Sequence, residues 1–172
     1  MKIVQLITEL RPAGAERIVL ELAAGLKRRG HEVAVVSLRP LPSAPAESGI
    51  VERLRALAIP VRSLGVTRAA PWRAARLRRE LRGLAPDVVH AHLFHANLVS
   101  RLFRAPRPCR LVNTVHIAER RRGRSWQFWL DRLTLSRCDA QTAVSRAVAA
   151  YHSRRLGVAA GRLSVVYNGV PP

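Results

Sequence analysis

Cysteine is nearly absent from these 172 residues: only Cys109 and Cys138 occur, in no CxxC or Cys/His ligand spacing. That leaves no sign of a disulfide framework or a zinc site, and fits two buried thiols in a reducing compartment. Lysine is almost as scarce. Lys2 and Lys27 are the whole complement, so the 30 basic residues are nearly all arginine, and 11 acidic residues leave a net charge of +19. Such a surplus suggests an anionic partner: nucleic acid, a phospholipid surface or a phosphorylated substrate. An arginine- and alanine-rich composition can also follow from genome bias, and composition alone does not separate the two. No apolar run is long enough to span a bilayer. Polar Glu9 and Arg11 follow the first apolar segment too soon for a signal-peptide core. The expectation is a cytoplasmic protein that could touch the inner face of a membrane without crossing it. There is no internal repeat and no dividing linker, so residues 1–170 read as one domain with an ordinary 48% hydrophobic content.

What is present alternates. Residues 3–7 read as a short buried strand. A turn through Pro12 and Gly14 follows, then a helix with an apolar face at Ala15, Ile18, Val19, Leu22, Ala23 and Leu26. Lys27, Arg28 and Arg29 suit the negative end of its dipole, and Gly30 can close it. Residues 33–36 form a second strand. Residues 40–48, rich in Pro, Ser and Ala, read as a loop. Further strands are expected at 61–64, 87–91, 110–115, 141–144 and 163–166. Helices are expected at 51–57, 71–84, 96–103 and 125–137, with a last one capped by Ser145 and closed by Gly157. This order predicts an α/β domain with a doubly wound, mostly parallel, Rossmann-like sheet of about seven strands.

Ligands of open parallel sheets bind at the carboxyl ends of the strands. At the end of the first strand, Gly14 opens a helix whose free N–H groups and positive dipole end suit phosphate. The turn is neither GxGxxG nor a P-loop. At the fourth strand, His90, His92 and His95 resemble a metal cluster, but no carboxylate lies nearby in sequence, and polar contacts at a cleft floor are the competing reading. His116 follows the fifth strand and could hold a substrate hydroxyl. Ser145 has no GxSxG elbow around it and reads as a helix cap, not a nucleophile.

Five stretches in order resemble the N-terminal domain of glycosyltransferase family 4, retaining enzymes of the GT-B fold. Ala13-Gly14-Ala15-Glu16-Arg17 is similar to the family's Gly-Gly-x-Glu-Arg turn. Pro86-Asp87-Val88-Val89-His90-Ala91-His92 resembles its Pro-Asp-Val-Val-His-x-His, and Thr114-Val115-His116 its Thr-Val-His. Ala143-Val144-Ser145 and Val166-Tyr167-Asn168-Gly169-Val170 are similar to its Ala-Val-Ser and Pro-Asn-Gly-Val. The resemblance implies one half of a GT-B fold and transfer, with retention, of a sugar from a nucleotide-sugar donor. The acceptor would be a glycan or a lipid-linked or cell-envelope molecule. It implies that the backbone at Ala13, Gly14 and Ala15 approaches the donor diphosphate and that His116 touches the transferred sugar. His92, Asn97 and Glu16 would serve the acceptor side. No cofactor and no metal are expected, and no Asp-x-Asp is present. Two departures stand out. Ala13 replaces the family's first glycine. The nucleotide-binding second domain, with its paired glutamates, is not in these residues, so no transfer is expected of this chain without that domain in cis or in trans. A non-catalytic binding domain and a nucleotide-sugar epimerase-like half are the alternatives.

The basic surplus has local texture. Arg73 and Arg76 lie on an amphipathic helical stretch, and Arg121 and Arg122 precede Trp126 and Trp129. Arginine beside indole suits an anionic lipid interface. Trp126, Trp129, Leu130 and Leu133 also follow helical spacing, so a core stripe is the competing reading. Nucleic-acid binding is not expected: the arginines are scattered, and no RRM, zinc-finger or helix-turn-helix pattern appears.

Overall fold

The computed structural model describes residues 1–116 and 125–169. Its strands are β1 (Lys2–Ile7), β2 (Glu32–Ser37), β3 (Val61–Ser63), β4 (Val88–His92), β5 (Arg110–Val115), β6 (Ala140–Ala143) and β7 (Ser164–Val165). They form one wholly parallel sheet in the order β3-β2-β1-β4-β5-β6-β7. The helices are α1 (Gly14–Arg28), α2 (Pro45–Ala56), α3 (Arg76–Leu84), α4 (Phe94–Leu102), α5 (Ser125–Thr134) and α6 (Arg146–Leu156).

Alternation along β1 explains the layering. Val4 and Leu6 point to one face and pack with Val89, Ala91, Leu77, Leu81 and Ala96. Ile7 points to the other and packs with Val19, Leu20, Ala23, Val33 and Val35. A strand covered on both faces is apolar at nearly every position, and burying one leucine such as Leu6 contributes roughly 1.5–3 kcal/mol. The polar exception in β1 is Gln5, which is fully buried. The chain leaves β1 toward one face through α1 and leaves β4 toward the other through α4. The carboxyl ends of these neighbouring strands therefore diverge, and a crevice opens between them.

Local signals behave as their chemistry predicts. Ser145 accepts from the Val148 N–H at the start of α6, and Gly157 closes that helix at φ 64°. Gly30, at φ 80°, stands just past α1. Cys109 and Cys138 are buried free thiols of one core cluster. Four expectations need correction. The loop expected at 40–48 is shorter, because Pro45 occupies the first turn of α2, with its φ already set for a helix. Residues 71–84 are not one α-helix: Pro71–Ala75 form a 3-10 turn before α3 begins. The buried face of α1 is rotated by about one residue from the expected stripe. It comprises Glu16, Val19, Leu20, Ala23 and Ala24, while Leu22 stands 37% exposed on the flank. The α1 contacts come from β1, β2 and α2 together, and Leu20 shares a core cluster with Ile50, Val51 and Leu54 of α2. On α5 the buried residues are Gln127, Phe128, Asp131 and Thr134, so Trp126 and Trp129, at 50% and 62% exposure, are not a core stripe. Arg121 and Arg122 lie outside the described residues.

Candidate active site at the carboxyl edge of the sheet

Three histidines meet at this edge, though not the three that sequence spacing suggested. His90 and His92 lie on one face of β4 with ring centroids 4.1 Å apart, and His116, just past β5, sits 5.2 Å from His92. His95 lies instead in the first turn of α4, edge-on to Phe94. The register explains this: β4 pairs with β5 so that His92 opposes Thr114, which brings His116 level with the β4 terminus.

Hydrogen bonds then fix the rings. His92 Nε2 lies 2.7 Å from Gln5 Oε1, and His92 Nδ1 lies 2.9 Å from His116 Nε2. His90 Nε2 is 2.6 Å from Thr114 Oγ1, which in turn is 2.6 Å from Thr142 Oγ1. Nitrogens committed to such partners do not converge on one point. Among the described residues no group of three His, Cys, Asp or Glu side chains could hold a metal ion. Burial disfavours the imidazolium form of all three. It lowers His90 to about 4, with the charge of His116 adding to the effect. It lowers His116 to about 4 and His92 well below its ordinary value, His90 and His116 adding to the latter. At neutral pH the cluster is uncharged.

His116 stands between two hollows. One is a cavity of about 240 Å³ bounded by Thr8, Glu9, Arg39, Asn97, Gln127 and Asp131 among others. Within it, Thr8 Oγ1 and Asn97 Oδ1 have no hydrogen-bond partner among the described residues. Unpartnered buried oxygens are costly unless a ligand or water completes them. Arg39 and Glu9 pair at 3.0 Å at its rim. The other hollow is a groove of about 520 Å³ between the α1 flank and the faces of β4, β5 and β6. The turn into the cavity is strained: Leu93, between β4 and α4, has φ 70° and ψ 158°, a conformation that non-glycine residues rarely adopt. That turn sends His92 inward and α4 outward within two residues.

The other sequence-nominated residues distribute unevenly. Asn97 reaches the cavity and is anchored there, its Nδ2 donating to the Thr114 carbonyl at 3.1 Å. His92 is fully buried with both ring nitrogens engaged, which leaves it no free polar atom for an acceptor. Glu16 is buried in the first turn of α1 and lines neither hollow. Desolvation raises its pKa, its own backbone N–H opposes the rise, and Glu9 adds to it. Ala13 caps α1 in extended geometry without a side-chain bond, leaving the first-turn N–H groups of the helix without that partner. Ala13 and Gly14 line a shallow depression beside α2, separate from both His116 hollows. A Cβ on Gly14 would meet nothing within 4 Å, so packing does not require glycine there and the approach to the backbone is open. Arg73 and Arg76 donate to the Gly65 and Leu64 carbonyls, so these guanidinium groups serve the loop after β3.

A single parallel sheet with a histidine-lined crevice at its switch point suits several enzyme classes; the match along the chain narrows them. Residues 12–172 match the model of glycosyltransferase family 4. The chain belongs to that family. Solved structures agree on the fold. The Anabaena protein HepE, crystallised with UDP and with UDP-glucose, superposes at TM-score 0.75 and 21% identity, over 99% of this chain and 44% of HepE. The lipopolysaccharide outer core galactosyltransferase WaaB gives 0.74 at 14% identity, over 99% of this chain and 46% of WaaB. A UDP-N-acetylglucosamine 2-epimerase from Rickettsia bellii gives 0.62 at 12%, over 98% and 45%. Comparison with curated protein sequences returns no significant match. The likeness is one of fold, a Rossmann-like half of the GT-B architecture, and this family 4 chain spans less than half the length of those structures.

Two features of the candidate site in this family 4 chain escaped sequence reasoning. Gln5 carries a signal that was available, a lone amide inside the apolar run Ile3-Val4-Gln5-Leu6-Ile7. Arg101 does not, since nothing in α4 marks one arginine among many. It is fully buried, its Nη1 2.7 Å from Asp131 and its Nε 2.6 Å from Asn113 Oδ1. The guanidinium ties α4, β5 and α5 together behind the cavity.

Proposed function

We propose that this chain forms the acceptor-side half of a retaining glycosyltransferase, moving a sugar from a nucleotide-sugar donor to an acceptor held at the carboxyl edge of the sheet. The observation that carries the proposal is His116: an uncharged imidazole, anchored from behind by His92, at the mouth of a cavity where Thr8 and Asn97 present unpartnered oxygens, in a family 4 fold. A neutral ring there exchanges a hydrogen bond with a sugar hydroxyl and places no charge beside the reacting carbon. The N–H groups at Ala13, Gly14 and Ala15 and the positive end of the α1 dipole favour the donor diphosphate. Thr8, Asn97 and Arg39 offer polar atoms to an acceptor in the cavity. No cofactor or metal enters this reading, and a second domain, in cis or in trans, supplies the nucleotide contacts.

An anionic membrane surface fits the exposed face of α5, where Trp126, Trp129 and Leu133 stand at helical spacing. Among the described residues no helix is long and apolar enough to cross a membrane, so contact would be peripheral.

The test is product analysis. The chain, joined to or mixed with its second domain, is incubated with a panel of nucleotide sugars and acceptors. Release of nucleoside diphosphate together with a glycoside of retained anomeric configuration supports the proposal. Epimerised free sugar or sugar nucleotide, without a glycoside, supports instead the epimerase-like reading that the Rickettsia bellii fold motivates.

A further inference from the structure

Gln5 is a polar side chain, wholly buried, in β1, an inner strand of the sheet. Such a group is costly unless it is bonded. Its Oε1 is bonded to His92, while its Nε2 has no partner among the described residues; the other partner of His92 is His116, so one hydrogen-bonded chain runs from the sheet interior to the cavity mouth. Its polarity follows from proton counting. Gln5 Oε1 can only accept, so His92 carries its proton on Nε2. A neutral imidazole has one N–H, so His92 Nδ1 is a lone pair and accepts from Nε2–H of His116. His116, also neutral, then keeps a lone pair on Nδ1. A ring nitrogen of that kind accepts from a hydroxyl and repels a carboxylate or phosphate oxygen.

We infer that Gln5 and His92 are positioning residues that lock His116 in its Nε2–H tautomer, so that the site selects a sugar presenting a hydroxyl, not a carboxylate, to His116. The inference rests on the transferase reading for the identity of the ligand. The tautomer lock stands without it. The lock exists because the three residues come from β1, β4 and the end of β5, neighbouring strands of a rigid sheet, and so cannot re-aim independently. Turning the Gln5 amide over would reverse every bond in the chain and leave His116 as an Nδ1–H donor, which would favour an anionic oxygen.

The two polarities are distinguished by multiple-bond 1H–15N correlation spectra of the histidine-labelled chain at pH 7.5. The expected result is Nε2–H for both His92 and His116 in the wild type, and a mixture of tautomers at His116 in Gln5→Met. An Nδ1–H tautomer at His116 in the wild type overturns the inference. So does an unchanged His116 spectrum in a folded Gln5→Met variant. The wild-type spectrum decides even if that variant does not fold. In the complete two-domain protein the lock predicts that Gln5→Met lowers kcat about tenfold with little change in KM, the worth of one hydrogen bond. Correct tautomers with no sugar transfer from any donor would sink the transferase reading and leave the lock standing.

Discussion

Acid should unfold this domain earlier than its carboxylates alone would dictate. His90 and His116 are held at about 4 against an ordinary 6.5, and His92 lies lower still. Their imidazoles are neutral in the folded state but bind protons readily once the chain unfolds. The unfolded state therefore gains protons as pH falls below 6.5, and folding stability is lost progressively between 6.5 and 4. A histidine displaced from 6.5 to about 4 costs about 2 kcal/mol of stability at pH 5. His90 and His116 together give about 4 kcal/mol, and His92 adds in the same direction. Against a typical total of roughly 5–15 kcal/mol, that is a large fraction. Urea unfolding at pH 7.5 and pH 5.0 measures it. His90→Gln removes one titration, so its loss between the two pH values should be smaller than the wild type's by about 2 kcal/mol. A wild-type loss below about 1 kcal/mol, or an equal loss in the variant, would refute the burial argument.

Other outcomes follow from the same geometry. Arg101→Met removes the buried guanidinium that faces Asp131 at 2.7 Å and should cost about 3–5 kcal/mol in urea unfolding; a cost under about 1 kcal/mol would mean the pair is solvated. Replacing Trp126 and Trp129 by Ala should lower sedimentation with anionic phosphatidylglycerol vesicles by at least about tenfold while costing no more than about 1 kcal/mol in unfolding, the edge-on contact of Trp126 with Phe94. Equal binding by wild type and variant would remove α5 from the membrane proposal. Gly157→Ala should destabilise the domain by about 1 kcal/mol or more, since its φ is 64° and an added Cβ would lie 2.8 Å from Arg132 Nη1.

The strands could be read almost directly, because parallel strands covered on both faces are written as β-branched apolar runs, such as Val33 to Val36. Caps were legible for the same local reason: Ser145 and Gly157 act within their own turns. Where a partner from another element decides, the sequence was silent. His95 is near His90 in sequence but sits in the first turn of α4 against Phe94, whereas His116 reaches His92 through the β4–β5 register. Spacing left α5 ambiguous between an indole core and an indole surface. The buried Arg101 resolves it by drawing Asp131 inward, and the helix turns its tryptophans outward. The buried side of α1 shifted because α2 packs beside it, and nothing in α1 itself announces α2.

The central claim concerns His116, and steady-state kinetics of the complete two-domain protein test it most directly. The account predicts that His116→Ala lowers kcat for sugar transfer by about 10²-fold or more while the variant still folds and binds nucleoside diphosphate. A variant that transfers sugar at the wild-type rate would contradict it, and would move the reacting carbon away from the carboxyl end of β5.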